Sequence, residues 1–195
     1  GHQTVLLISL DLIGIPTHVC LRLYALLQEA TGIAFPNILL SCSHTHFAPG
    51  LHTTVFPNLE VGLSEPDPRF VAEVETKLVE ASTEALRDLA PAVLEHARIE
   101  VPSVLFNRRT VGTDGRVTTN YLYPADPTPY RFSPVDPQLT VLRFRGPRGI
   151  RGGWLNFGCH PVTGTGMVED GHYRISADYP YYLRRGLEDA WHCPT

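Results

Sequence analysis

At 195 residues, 43% hydrophobic and 18% charged, the chain has the composition of a globular protein with one sizeable core. Its formal net charge of −4 carries no electrostatic footprint for nucleic acid. No run is long and apolar enough for a transmembrane segment, since Asp11 interrupts Val5 to Ile15, so a soluble protein is expected, cytoplasmic or secreted alike.

Residues 4–11 form a β-branched and leucine-rich run, read as a central strand buried on both faces and stopped by Gly14, Ile15 and Pro16. From 17 to 29, Val19, Leu23, Leu26 and Leu27 share one helical stripe, with Thr17 as N-cap and Thr31-Gly32 as the stop. Residues 37–43 read as a second buried strand. Strand, helix, strand with short connections is a βαβ unit, which implies parallel pairing. The irregular stretch 47–65 is a long loop beside a histidine pair, a place where loops are more often functional than accidental.

Asp67-Pro68 then opens the longest helix, with Phe70, Val74, Leu78, Ala81, Ala85 and Leu89 repeating every three or four residues. Residues 93–101 alternate in part as a strand. Thr113-Asp114-Gly115-Arg116 is a hairpin turn. The proline- and tyrosine-rich stretch 121–136 reads as an ordered loop, and 139–145 and 153–159 as strands around the turn 146–149. A glycine-rich loop at 162–175 leads to a last helix at 179–191, where Pro180 is tolerated in the first turn. The fold class expected is α/β: a mixed, partly parallel central sheet with flanking helices and long active-site loops. Strand-like sequence begins at Thr4 and a helical pattern runs to Trp191, so residues 1–195 are expected to form one α/β domain within a longer protein.

Four places can carry chemistry. The second strand breaks off in Ser43-His44-Thr45-His46, and the strand at 153–159 likewise ends in His160-Pro161. In an extended segment His44 and His46 point to one face, so a metal site and a proton-transfer site are the two readings. Two strand ends converging on histidines bring metal binding level with the reading of histidines merely bonded to backbone. A catalytic zinc usually takes three protein ligands and a water. Arg108 can hold an oxyanion or a carboxylate in its planar fork, or stand solvated at a strand end. Asp178 can cap the last helix. Asp11 can support a metal histidine from behind or cap a turn. The four cysteines show no CxxC spacing. Cys42 and Cys159 lie in apolar runs and read as buried free thiols, with soft metal ligation as the other reading.

Taken in order, these blocks resemble the neutral (non-lysosomal) ceramidases and their bacterial relatives. Ser9-Leu10-Asp11-Leu12 looks like that family's first core strand, and Ser43-His44-Thr45-His46-Phe47-Ala48-Pro49-Gly50 is similar to its Thr-His-Thr-His-Ser-Gly-Pro-Gly signature. Asn107-Arg108, Val135-Asp136-Pro137, Asn156-Phe157-Gly158-Cys159-His160-Pro161 and Ile175-Ser176-Ala177-Asp178 resemble its later blocks. The resemblance implies a zinc-dependent hydrolase that cleaves the amide of an N-acyl lipid such as ceramide with a metal-activated water. It implies His44 and His160 as zinc ligands, His46 as the histidine that bonds the water or the carbonyl, and Arg108 as its catalytic partner. The family's other zinc ligands, a glutamate and a tyrosine, come later than this sequence extends, so half a site is expected here. Phe47-Ala48 stands where the family has Ser-Gly. The competing reading is a non-catalytic domain of the same fold that binds a ligand or partner through the loops 47–65 and 121–137. A third reading is a barrel-type amidohydrolase, which also begins with His-x-His; against it stands the absence of eight repeating βα units, which such barrels spread over ~250 residues.

Overall fold

The computed structural model describes residues 3–51, 66–163 and 175–193, so the loops expected at 47–65 and 162–175 fall for the most part outside the described residues. The described chain is mixed α/β, with three α-helices and three small sheets. It divides into two compact units, 1–91 with 160–186, and 92–159 with 187–195.

The first unit opens with β1 (Leu6–Leu10), α1 (Thr17–Thr31) and β2 (Ile38–Cys42). The two strands pair in parallel, Leu6 opposite Ile38 through Leu10 opposite Cys42, as the βαβ reading requires. The helix starts at Thr17 with Pro16 at the cap position, one residue earlier than the Thr17 cap expected. Its end is as read: Gly32 turns left-handed at φ 71° and its N–H closes on the Gln28 carbonyl. Val19, Leu23 and Leu27 are buried on one stripe and join Leu6, Ile38 and Leu78 in the core, while Leu26 lies half-buried.

The strands depart from expectation in one respect. Leu6, Ile8 and Leu10, with Ile38, Leu40 and Cys42, face the core, but the alternate row does not. Val5 is 56% exposed, Leu7 42% and Leu39 52%. Helices cover one face of this two-stranded sheet, so the strands are not buried on both faces as a run of leucines suggested.

Helix α2 (Pro68–Arg87) begins as read, with Asp67 accepting the Arg69 N–H and proline at the first position. Its buried stripe is Phe70, Val71, Val74, Leu78, Ser82 and Leu86. The expected Ala81, Ala85 and Leu89 face solvent. Steps of four hold the stripe on α1, whereas the shift to 81, 85 and 89 rotates off the contact. Arg22 of α1 pairs with Glu75 of α2 across the same seam.

The second unit contains an antiparallel sheet of β3 (Val93–Glu100), β7 (Gln138–Gly146) and β8 (Gly149–Phe157), in the order β3-β7-β8. Arg143 and Arg145 of β7 grip Glu95 of β3, and their hydrogen bonds hold its carboxyl below the usual carboxylate range. Gly153 in β8 is required by close approach: a Cβ there would lie 2.9 Å from the Leu142 carbonyl oxygen and against the Trp191 ring. A smaller sheet pairs β4 (Arg109–Gly112) with β5 (Val117–Thr119) and β6 (Tyr130–Phe132). The Asp-Gly turn between β4 and β5 forms as expected, with Gly115 at φ 81°. Strand β6 arises inside the stretch read as loop, between Pro129 and Ser133; three residues are too few to show a period. The last helix, α3 (Tyr179–Trp191), has the expected bounds and runs from the first unit into the second.

No described helix is long and apolar enough to cross a membrane. The four cysteines form no disulfide among the described residues and are partly buried. Burial, and secondarily the neighbouring Cys20, pushes the Cys42 thiol up to about 11. Because the thiolate is the reactive form, alkylation of Cys42 by iodoacetamide at pH 8 is expected to run on the order of 100-fold slower in the folded chain than in urea. Peptide mapping by mass spectrometry reads this, and equal rates in both states would refute it.

Candidate metal centre

Strand β2 ends at Cys42, two residues short of His44. The chain beyond it stays fastened to the end of β1: the Ser43 N–H donates to the Leu10 carbonyl at 2.9 Å and the His44 N–H to Leu12 at 3.0 Å. His44 itself turns left-handed, at φ 67°, a conformation that histidine tolerates better than most residues. Its side chain is fixed as well, because Nδ1 lies 2.6 Å from the Ile13 carbonyl oxygen. A carbonyl can only accept, so Nδ1 carries the proton and Nε2 presents a lone pair. A carbonyl behind the imidazole is the usual support of a metal-binding histidine.

Thr45, fully buried, points the other way; its hydroxyl donates to the Ser176 carbonyl at 2.7 Å. His46 then returns to the side of His44, its N–H donating to the Pro161 carbonyl at 3.3 Å. His160 comes from the neighbouring segment. The three rings gather with centroids 5.1 Å apart for His44–His46, 5.1 Å for His44–His160 and 4.7 Å for His46–His160. Nε2 of His46 lies 2.8 Å from Nε2 of His160. At that distance one ring donates to the other, so one of the two carries its proton on Nε2.

One nitrogen from each ring lies within 4.8 Å of the others, and both His44 and His46 are exposed. Tetrahedral zinc, with Zn–N near 2.0–2.1 Å, sets its nitrogens about 3.3 Å apart. The separations here, 2.8 Å between His46 and His160 and none above 4.8 Å, are of that order. The donor set, three imidazoles with one already in the metal-ready tautomer, fits a divalent metal of zinc's preferences. Loading through the His160 Nε2 would break the hydrogen bond that it shares with the His46 Nε2.

The alternation argument for His44 and His46 therefore reaches the right neighbours by the wrong route. The turn, and not strand pleating, brings their rings together. Arg108 belongs to the other compact unit, where it precedes β4 and its guanidinium stands 5.7 Å from the Tyr121 ring centre. Asp11, read as supporting a metal histidine or capping a turn, pairs with Arg184 of α3 at 2.8 Å. Asp178 is buried and does more than cap, binding Thr163 as well as the Tyr179 N–H. Cys42 packs in the core, and the Cys159 Sγ lies 3.9 Å from the Val104 carbonyl oxygen. The Ile13 carbonyl was missed, since a backbone acceptor leaves no trace in residue type.

The first unit thus presents a parallel βαβ element whose strand-end turn gathers three histidines able to take a metal. Among solved structures, a neutral ceramidase from Pseudomonas aeruginosa matches with a TM-score of 0.63 and 21% identity, over 94% of this chain and 28% of that one. At this identity the likeness establishes a shared fold, and the chain spans little more than a quarter of that protein's length. No family model matches the sequence, and no curated protein matches it.

Proposed function

We propose that the chain is part of a larger ceramidase-like catalytic domain, a zinc-dependent hydrolase that cleaves the amide of an N-acyl lipid such as ceramide. The convergence of His44, His46 and His160 at one strand end carries this reading, and the ceramidase fold supports it. His44 and His160 would hold the metal through Nε2. A bound zinc would acidify water and polarise the scissile carbonyl. His46 would hold a proton at Nε2 and move it toward the leaving amine, as general acid–base residues do. Arg108, assigned from the Asn107-Arg108 block, would donate to the developing oxyanion.

The test is metal content and hydrolysis of a fluorogenic N-acyl sphingosine by the protein at its full encoded length. About one equivalent of zinc, with turnover lost to a chelator and restored by zinc, is expected. Turnover indifferent to chelation would overturn the reading. Zinc uptake without turnover would favour the ligand-binding domain instead.

A further inference from the structure

We propose that Asp178 is the positioning residue of the histidine cluster: by clasping Thr163 it fixes the segment that presents His160 against the turn that carries His44 and His46. A helix cap needs one hydrogen bond from its side chain. Asp178 makes three. Its Oδ2 accepts the Thr163 N–H at 2.9 Å, and its Oδ1 accepts the Thr163 hydroxyl at 2.7 Å and the Tyr179 N–H at 2.5 Å. It is 5% exposed and left-handed, at φ 60°. A buried carboxylate is costly unless its oxygens are satisfied, and here each one has a donor.

The clasp closes a circuit. Thr163 follows His160 by three residues, and Pro161 between them is fully buried and accepts the His46 N–H. The Asp178 N–H donates to the Ser176 hydroxyl at 3.0 Å. Ser176 in turn donates its N–H to Phe47 at 3.0 Å and accepts the Thr45 hydroxyl. Residues 45–47, 160–163 and 175–178 are thereby tied into one ring of hydrogen bonds, two histidines standing on it. Releasing Thr163 frees one end of the segment that aims His160 toward His46.

The metal readout of this inference rests on the proposed function; the ring readout does not. Asp178→Asn keeps a residue that accepts the left-handed backbone but turns an amide NH2 toward the Thr163 N–H. Thr163→Val removes only the hydroxyl bond. In the intact chain, each is expected to shift the side-chain 15N resonances of His46 and His160 without metal, and to weaken zinc binding in a chelator competition by about tenfold, the usual cost of losing an outer support. Far-UV circular dichroism should be unchanged. Unshifted ring resonances, with zinc affinity within about twofold of wild type in both variants, would overturn the inference. If Asp178→Asn does not fold, Thr163→Val decides alone. If the wild-type protein takes up no zinc, the metal reading fails and the ring resonances still decide the role of Asp178.

Discussion

Alanine at His44 or at His160 is expected to lower zinc affinity by more than about 100-fold, beyond the 10–100-fold that losing an outer support costs. Each imidazole offers one nitrogen to the cluster. His46→Ala is expected to behave differently. As the proton-transfer residue it leaves the metal in place and reduces turnover of the full-length protein by about 10²–10⁴-fold. Chelator competition and single-turnover hydrolysis separate the two roles. If His46→Ala sheds zinc as readily as His160→Ala, His46 is a third ligand and the proton is moved by another group. Unchanged zinc affinity in both His44→Ala and His160→Ala would remove the metal centre altogether.

The second large effect lies in the core beneath that centre. Leu27 is 0% exposed and Leu23 1%, and both join α1 to the strands that lead to the histidines. Leu27→Ala leaves a cavity and is expected to destabilise by about 2–5 kcal/mol. For a chain of this size each kcal/mol is worth roughly 2–4 °C, so thermal unfolding of the first unit should come about 4–20 °C earlier. Leu21→Ala is the control: its side chain is 56% exposed on the same helix, and a change within about 0.5 kcal/mol is expected. Equal shifts for the two variants would mean that the stripe has been misassigned.

How far the sequence could be read follows from the range of the interactions involved. The βαβ unit was legible because its signals are local: an unbroken apolar run, a helical stripe, Gly32 at the helix end, another apolar run. The caps at Asp67 and Pro68 were legible for the same reason. His44 and His46 stood out because they interrupt a strand pattern, and His160 because it does so again. What joins these residues was not legible. Thr45 reaches Ser176 across 131 positions, and Asp11 reaches Arg184 across 173. Neither pairing leaves a periodic trace, since each is made once. Burial on one face of β1 and β2 was also hidden, because Leu7 and Leu39 read as core by type while the fold leaves them exposed. The stripe of α2 was misjudged where alanine, at home on either face, gave no phase.

That outward row has a consequence for handling the chain. LLISL and ILLSC are five-residue segments of high β-propensity without a charge, in a two-stranded sheet that shows Val5, Leu7 and Leu39 to solvent. Such segments are templates for edge-to-edge association. Asp11, immediately after the first of them, acts as a gatekeeper against it. Its charge is free until it pairs with Arg184 of α3, so the guard stands while the chain is still folding.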